Sequence, residues 1–453
     1  MRSQAPRDEP EPVGLVLRSP PMNILWILSL SLIAARGMPS EGPARDSSAG
    51  SKTLAELTRE GRQAHERGDR RAFLSIYQEL SARRPGEVFT LYNLACAQAL
   101  NGLPDAAVRT LEDILAHRVA SHLDADTDLT AIRGTDGYRR VVAAMEELRR
   151  QRVSSGAARA FTIPEKGFVA EGVAYDPVSK SFFVSSVRHR KIVRIDRAGK
   201  ISDFVPAARD RLKSALGMRV DPASRTLWVA SEAVPSMDGY RKGEPTSAAV
   251  FEFDVDSGRL RKEHAPPAGT DPAFDDLTLA PDGTVFVNDA ARPRLWKIPP
   301  GGRLGVFLES EAFGGTQGLA VTEDGKTLYA SDYRGLHAVD LASRRVTPIR
   351  VPPDLALSGI DGLVLSGRAL VAIQNGITPH RVIRINLAPD GVTIARARIL
   401  EMNHPDFDEP TLGVVVDGSL YFSADSQGQK FLNEKAPITP DEMREALILK
   451  LPL

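Results

Sequence analysis

The apolar residues of this chain follow two different patterns along the sequence. Across residues 53–152, Ala, Arg, Glu and Leu dominate and proline is scarce, which favours helices. After Phe161, short apolar runs alternate with polar residues and are separated by turn sequences such as DP, DG and GG. The pattern therefore predicts an all-α region at 53–152 and an all-β domain at 159–453, joined by a short Ser/Gly/Ala linker.

A spacing of 34 residues relates several positions of the helical region. Gly61 and Ala95 are one such pair, and Gly68 and Gly102 are another. A small residue lets two antiparallel helices approach, and a glycine permits the turn between them. With these features the region resembles tetratricopeptide repeats, most clearly at 92–115. The resemblance implies a groove for a partner protein, and a helical cap that packs on the following domain is the alternative.

Six copies of one β unit follow in the second domain. Each copy has an apolar strand, a tight turn, a second strand that ends in a polar pair, and often a third alternating strand. The copies include EGVAYDPVSKSFFVSS, LGMRVDPASRTLWVASE, DDLTLAPDGTVFVND, QGLAVTEDGKTLYASD, DGLVLSGRALVAIQN and EPTLGVVVDGSLYFSAD. Six such units predict a six-bladed β-propeller, preceded by the tetratricopeptide-like helical domain.

Propeller topology predicts where polar residues gather. The first strand of each blade runs along the central channel, so the residue just before it lies at one mouth of that channel. Aligning the copies on their turns places at this mouth Glu171, Leu216, Asp275, Gln317, Asp361 and Pro410 with the adjacent Glu409. The ends of the second strands reach the same face, and we expect an outer, substrate-binding ring from Glu232, Asn288, Asp289, Asp332 and Asn375 together with Glu409.

A group of carboxylates and amides at one mouth has two interpretations. Like charges at short range repel and raise each other's pKa, so a cation would stabilise them. Oxygen ligands of this kind suit Ca²⁺ first, with Mg²⁺, Mn²⁺ or Zn²⁺ as the other candidates. The same side chains could instead accept hydrogen bonds from backbone N–H groups at strand ends. The sequence alone leaves both interpretations open.

The EG before the first strand and the DGL of the fifth copy resemble the senescence marker protein/gluconolactonase/regucalcin family of NHL-type propellers. This resemblance implies a divalent cation held by Glu171, Asp275, Gln317 and Asp361, with Asp361 as the catalytic general base. It also implies hydrolysis of a lactone or related ester. Two positions depart from the family pattern, because Gln317 and Asp275 stand where the family has asparagine.

A non-catalytic binding propeller with a partner-binding repeat domain is the competing hypothesis. The departures at Gln317 and Asp275, and Leu216 in the same ring, favour it. Nucleic acid is not an expected partner, because 58 basic residues balance 58 acidic ones. The single cysteine, Cys96, excludes an internal disulfide and zinc sites built on several thiolates.

The first 50 residues differ from the rest and contain the longest apolar run, at 23–35. Thirteen residues are too few to span a bilayer core, which needs about 20. Arginines precede the run and small residues follow it, as in a signal peptide, so we expect a periplasmic or secreted protein without a stable membrane span. The alternative is an uncleaved anchor, and either Met1 or Met22 could start the chain.

Overall fold

The computed structural model describes residues 52–241, 247–432 and 438–453. The predicted signal peptide lies outside these residues. Among the helices of the described ranges, none combines the length and apolar character needed to cross a membrane.

The helical region contains five helices that pack in sequence order. They are α1 (Leu54–Glu66), α2 (Arg70–Arg83), α3 (Val88–Leu100), α4 (Pro104–Ala116) and α5 (Asp136–Arg150), with a 3₁₀ helix at Thr127–Ile132 before α5. Most helices begin at a side-chain cap; Thr53 and Glu56, for example, form a capping box at the start of α1.

The 34-residue spacing corresponds to equivalent turns. Gly68 between α1 and α2 has φ 70°, and Gly102 between α3 and α4 has φ 72°. At Gly61 in α1, a Cβ atom would lie 2.6 Å from the ring of Tyr77 in α2, so only glycine permits this close approach. The helical hairpins inferred from the repeat are therefore present.

The remaining chain forms six four-stranded antiparallel sheets. The first blade contains β2 (Ala170–Asp176), β3 (Ser181–Ser186), β4 (Lys191–Ile195) and β5 (Ile201–Val205). The second contains β6 (Ser214–Asp221), β7 (Thr226–Glu232), β8 (Ala249–Asp254) and β9 (Leu260–His264). The third contains β10 (Leu277–Leu279), β11 (Val285–Asn288), β12 (Arg294–Ile298) and β13 (Gly305–Glu309).

The last three blades follow the same order. The fourth contains β14 (Thr316–Val321), β15 (Thr327–Asp332), β16 (Gly335–Asp340) and β17 (Val346–Pro348). The fifth contains β18 (Ile360–Ser366), β19 (Ala369–Gln374), β20 (Arg381–Leu387) and β21 (Ile394–Met402). The sixth contains β22 (Gly413–Val416), β23 (Ser419–Ser423), β24 (Glu445–Pro452) and, outermost, β1 (Ala158–Lys166). A short helix, α6 (Gly428–Leu432), follows β23.

The sixth blade closes the propeller. Strand β1 leaves the helical region and pairs antiparallel with β24 from the end of the chain. The first strands of the blades contact each other in a closed ring, in the order β2, β6, β10, β14, β18, β22 and back to β2. The predicted six-bladed β-propeller is confirmed. The closing role of β1 was not predicted, because the six copies were aligned only from their inner strands onward.

The helices pack on the fourth and fifth blades. Arg84 donates to the backbone oxygen of Ala312 at 3.0 Å, and the N–H of Ala120 donates to the backbone oxygen of Thr378 at 2.7 Å. Ile377 of the propeller belongs to the same apolar core as the helices. The contacted loops follow second strands or precede first strands, so the helices lie on the face where the predicted mouth opens.

Helix α3 is the most buried helix of this region. Nine of its residues are buried, including Leu91, Leu94 and Ala95. At its start, Phe89 packs against Tyr333 of the propeller, with ring centroids 6.4 Å apart. Propeller loops therefore cover part of the helical surface, as expected for a helical cap.

Arg381 connects the two regions. Its side chain is 1% exposed and donates to Gln374 Oε1 at 2.7 Å, to the Arg118 carbonyl at 3.0 Å and to the Ala356 carbonyl at 3.3 Å. No carboxylate of the described residues forms an ion pair with it, and burial lowers its pKa to about 9. One buried guanidinium therefore binds oxygens of both regions, and the Ala356 carbonyl also accepts from Gln374 Nε2 at 3.1 Å.

We expect Arg381→Met to lower the free energy of unfolding by about 2–4 kcal/mol, because it leaves buried acceptors without a donor. Urea unfolding measures the change, and limited proteolysis at 151–157 reports loosening of the helices. The matched control is Arg384→Met on the same strand, whose side chain is only half-buried. Equal effects of the two substitutions would contradict this role for Arg381.

Candidate active site

The residues that start the inner strands form a ring around the propeller axis. Glycine follows several of them because neighbouring blades approach closely: a Cβ at Gly172 would lie 2.3 Å from the Leu216 carbonyl oxygen, and one at Gly362 would lie 2.6 Å from that of Thr411. These contacts place Thr411, rather than Pro410, at the sixth position. The ring residues are Glu171, Leu216, Asp275, Gln317, Asp361 and Thr411.

A cavity of about 230 Å³ opens at this ring, and all six ring residues line it. Its outer part is framed by loops that include Pro235, Tyr240 and Ala291, and by Gln429 of α6. No described residue of the helical region lines it. The cavity therefore belongs to the propeller, and the helices lie beside its opening.

Besides Asp276, four carboxylates that line the cavity have raised pKa values. Burial, together with the carboxylates of Asp361 and Glu409, raises the pKa of Glu171 well above its usual range. Burial is also the main cause for the other three, and it raises the pKa of Asp275, Asp361 and Glu409 to about 7. Without a positive charge nearby, these buried acids favour their protonated, uncharged forms.

Asp361 is held in place by a neighbouring amide. Asn375 Nδ2 donates to Asp361 Oδ2 at 2.6 Å, and both residues line the cavity. This hydrogen bond favours the charged form of Asp361 and so opposes part of the effect of burial. Asn375 therefore orients the carboxylate for which the family resemblance implies the role of general base.

Buried Asn288 fixes the start of the third blade. Its Oδ1 accepts from the backbone N–H groups of Asp275 at 2.8 Å and Asp276 at 2.9 Å, and its Nδ2 donates to the Thr316 carbonyl at 2.8 Å. The amide thus joins two blades. It positions Asp275 through the backbone.

Asp276 is a cavity residue that the sequence analysis missed. It is 1% exposed, its Oδ2 lies 3.6 Å from Arg219 Nη2, and its Oδ1 has no hydrogen-bond partner among the described residues. In four other copies the equivalent position is glycine, as at Gly172 and Gly217. The sequence did contain a clue: an aspartate occupies a position that is glycine in most copies. We aligned the copies on the ring residue and did not compare the position after it.

The predicted outer ring divides into two groups. Glu232, Asn375 and Glu409 line the cavity. The other three predicted residues are not among the described residues that line it; they are Asn288, Asp289 and Asp332.

Asp289 and Asp332 are fully buried and bind neighbouring groups of their own blades. Asp289 Oδ2 accepts from Trp296 Nε1 at 3.0 Å and pairs with Arg294 at 2.8 Å. Asp332 accepts from the backbone N–H of Gly314 at 2.8 Å. Asp289 Oδ1 also accepts from the backbone N–H groups of Ala273 and Ala291, both at 3.2 Å, so both carboxylates match the strand-end interpretation.

The cavity carboxylates share one space without forming a tight cluster. Among the described residues, the one set of three His, Cys, Asp or Glu residues with ligand atoms within 4.8 Å of one another lies in the helical region. Ligands of one Ca²⁺ lie about 2.3–2.6 Å from the ion, so they are at most about 5 Å apart. In the observed arrangement, at most two cavity carboxylates could bind one cation directly, with amides and water as further ligands.

The set in the helical region consists of Cys96, Asp126 and Asp128. Tyr92 donates to Asp126 Oδ2 at 2.7 Å, and His65 Nε2 lies 2.7 Å from Asp128 Oδ2. Burial raises the pKa of the Cys96 thiol well above its usual range, and Asp126 adds to the effect. These groups satisfy each other, so a hydrogen-bonded network explains their proximity.

Three residues that line the cavity have a left-handed backbone conformation. Val169 with φ 48°, Asp271 with φ 38° and Glu409 with φ 69° adopt the left-handed region and line it. Such conformations cost on the order of 1–3 kcal/mol each for residues other than glycine and cluster at binding sites.

No protein-family model and no curated protein matches the chain. Solved structures do match. A gluconolactonase from Xanthomonas campestris is 16% identical, with a TM-score of 0.44 over 65% of this chain and 89% of its own. Regucalcin, a calcium-binding protein from Agrobacterium tumefaciens, is 13% identical, with a TM-score of 0.44 over 65% and 93% of the two chains. Virginiamycin B lyase from Staphylococcus aureus is 15% identical, with a TM-score of 0.45 over 67% and 100%. Such low values carry no argument about chemistry.

The raised pKa of Asp275 predicts a pH-dependent stability. Because its pKa is about 7 in the folded state and about 4 in the unfolded state, the folded protein holds more protons between these values. Without divalent cations, the free energy of unfolding should therefore fall as pH rises from 5 to 8. Asp275→Asn should reduce that fall by on the order of 1–2 kcal/mol.

Urea unfolding in EDTA at both pH values measures this effect. The matched control is Asp417→Asn, an exposed aspartate in the turn between β22 and β23 on the opposite face. An unchanged pH dependence in Asp275→Asn would show that Asp275 ionises normally in the folded protein.

Proposed function

We propose that this protein is a metal-dependent hydrolase of a lactone or related ester, acting in the propeller cavity. One observation carries the proposal: the carboxylates of Glu171, Asp275, Asp361 and Glu409 line one small cavity with raised pKa values. Perturbed acids in a cleft are typical of catalytic and cation-binding sites.

The donor groups fit a hard divalent cation, with Ca²⁺ the best match. Carboxylate and amide oxygens are its preferred ligands, and the buried Asp276 Oδ1 has no described partner. Glu171 and Asp361 would hold the cation, with the Gln317 amide as a further ligand and the Asp275 carboxylate as a negative charge close by. When bound, such a cation supplies positive charge that stabilises the developing oxyanion of an ester carbonyl.

Asp361 is the group we assign as general base. Its carboxylate can accept a proton from water, and Asn375 fixes its orientation. The oxygen of water bonds to the carbonyl carbon while its proton passes to Asp361. The carbon–oxygen bond of the lactone then breaks, and the proton moves to the departing oxygen. Water and a lactone thereby give one hydroxy acid.

A non-catalytic binding propeller is the second candidate function. The separation of the cavity carboxylates favours it, because no three of them approach within 4.8 Å. Leu216 in the ring also reduces the number of polar groups available for chemistry. This candidate predicts ligand binding without turnover, which the experiments below distinguish from hydrolysis.

Calcium should stabilise the protein through the cavity acids. At 100 times its dissociation constant, a ligand that binds only the folded state stabilises by about 2.7 kcal/mol, which thermal unfolding in Ca²⁺ and in EDTA detects. Glu171→Gln should abolish most of this shift. The control is Asp126→Asn in the helical region, which should retain it. The opposite result would place the cation at Cys96, Asp126 and Asp128.

Asp361→Asn should lower kcat/KM for lactones by on the order of 10²–10⁴-fold, because the amide cannot accept the proton. Its circular dichroism spectrum should remain that of the unmodified protein. Asp417→Asn is again the control and should keep full activity. Turnover by Asp361→Asn at the original rate would remove Asp361 from the mechanism.

A further inference from the structure

The cavity has an apolar side next to its acidic side. Val169, Val187, Leu216 and Val234, here called the apolar wall, all line it. They belong to one apolar cluster that also contains Met443, which lies outside the cavity lining. Met443 therefore packs against the wall residues, which come from the first and second blades.

Leu216 brings this wall into contact with the acidic ring. It is 5% exposed and occupies the ring position between Glu171 and Asp275. Any group held near those carboxylates therefore has a leucine side chain directly beside it. The ring combines charge attraction on one side with an apolar surface on the other.

The charged residues among the described lining of the cavity are all acidic. Its described lining residues include Glu171, Asp275, Asp276, Asp361 and Glu409, and none of them is Lys, Arg or His. Among the described lining residues, an anionic ligand would therefore find no positively charged side chain. Uncharged ligands avoid this repulsion.

We propose that the cavity selects an uncharged lactone or ester that carries an alkyl or aryl substituent, and that it discriminates against polyhydroxylated and anionic lactones. This inference rests on the proposed function. The carbonyl faces the acidic ring and its cation, and the substituent lies on the apolar wall.

Two physical effects give this selectivity. Each methylene group that leaves water for the wall should raise kcat/KM by roughly three- to fourfold. A hydroxyl group at the same place loses its hydrogen bonds to water, and the valine and leucine side chains of the wall offer none in return. A polyhydroxylated lactone of equal size should therefore be a poorer substrate.

The test uses the full chain with Ca²⁺ and a series of γ-lactones whose alkyl substituent grows from methyl to hexyl. An aldonolactone is the polyhydroxylated comparison. We expect kcat/KM to rise with each methylene until the wall is covered. The corresponding γ-alkyl lactams keep the carbonyl but resist hydrolysis, so calorimetric titration with them reports binding independently of turnover.

Leu216→Thr should flatten the dependence on chain length, for lactone turnover and for lactam binding alike. Val234→Thr is a second wall variant at a half-buried position, in case the first does not fold. The control is Val178→Thr, because Val178 is 64% exposed in the turn between β2 and β3 on the opposite face. This control should leave the dependence unchanged.

Each outcome is decisive. If lactam affinity increases with the length of the alkyl chain but no lactone is hydrolysed, the proposed ligand class is supported and the proposed hydrolysis is wrong. If kcat/KM is higher for the aldonolactone, or does not change with the length of the alkyl chain, the proposed hydrolysis is supported and the proposed selectivity is wrong. Absence of both lactam binding and lactone turnover would overturn both proposals.

Discussion

The close approach of six inner strands around one axis determines the rest of this structure. The backbone of one strand comes so near the next that a Cβ at Gly172 or Gly318 would lie 2.3–2.5 Å from a carbonyl oxygen of the neighbouring blade. Glycine therefore stands just after the ring position in four of the six blades. The residue before it starts the strand at the channel mouth, so ring side chains line one cavity whatever their chemistry. Topology alone thus brings distant acids such as Glu171 and Asp361 together.

The same ring has to be closed, and its closure positions the helices. Strand β1 completes the sixth blade, and only residues 151–157 separate it from α5. Val153 within this link pairs with Met402 at the end of β21. The helical region is therefore held near the fifth blade, where Arg381 and the core around Ile377 attach it. The result is a helical cap beside the cavity, which leaves the first three blades and the sixth to frame the opening.

The parts of this arrangement that repeat could be predicted from the sequence, and the parts that occur once could not. The turns repeat, so the six blades and five of the six ring residues were found by alignment. The pairing of β1 with β24 joins opposite ends of the domain and leaves no local pattern. Residue type also cannot separate Asn375, which faces the cavity, from Asn288, which binds backbone in its own blade and the next. That difference depends on side-chain direction at the end of a strand.

The cavity combines two surfaces whose effects reinforce each other. Burial that raises the pKa of Asp361 to about 7 also removes the water that would weaken attraction between carboxylates and a cation. The apolar wall around Leu216 lies beside Glu171 and Asp275 in the ring, and it offers neither a charge nor a hydrogen bond to a charged or hydroxylated group. A ligand therefore gains from both surfaces only when its polar carbonyl and its apolar substituent point in different directions. In the proposed reaction, that orientation presents the carbonyl to the ring and to Asp361, so the surface that selects the ligand would also align it for attack.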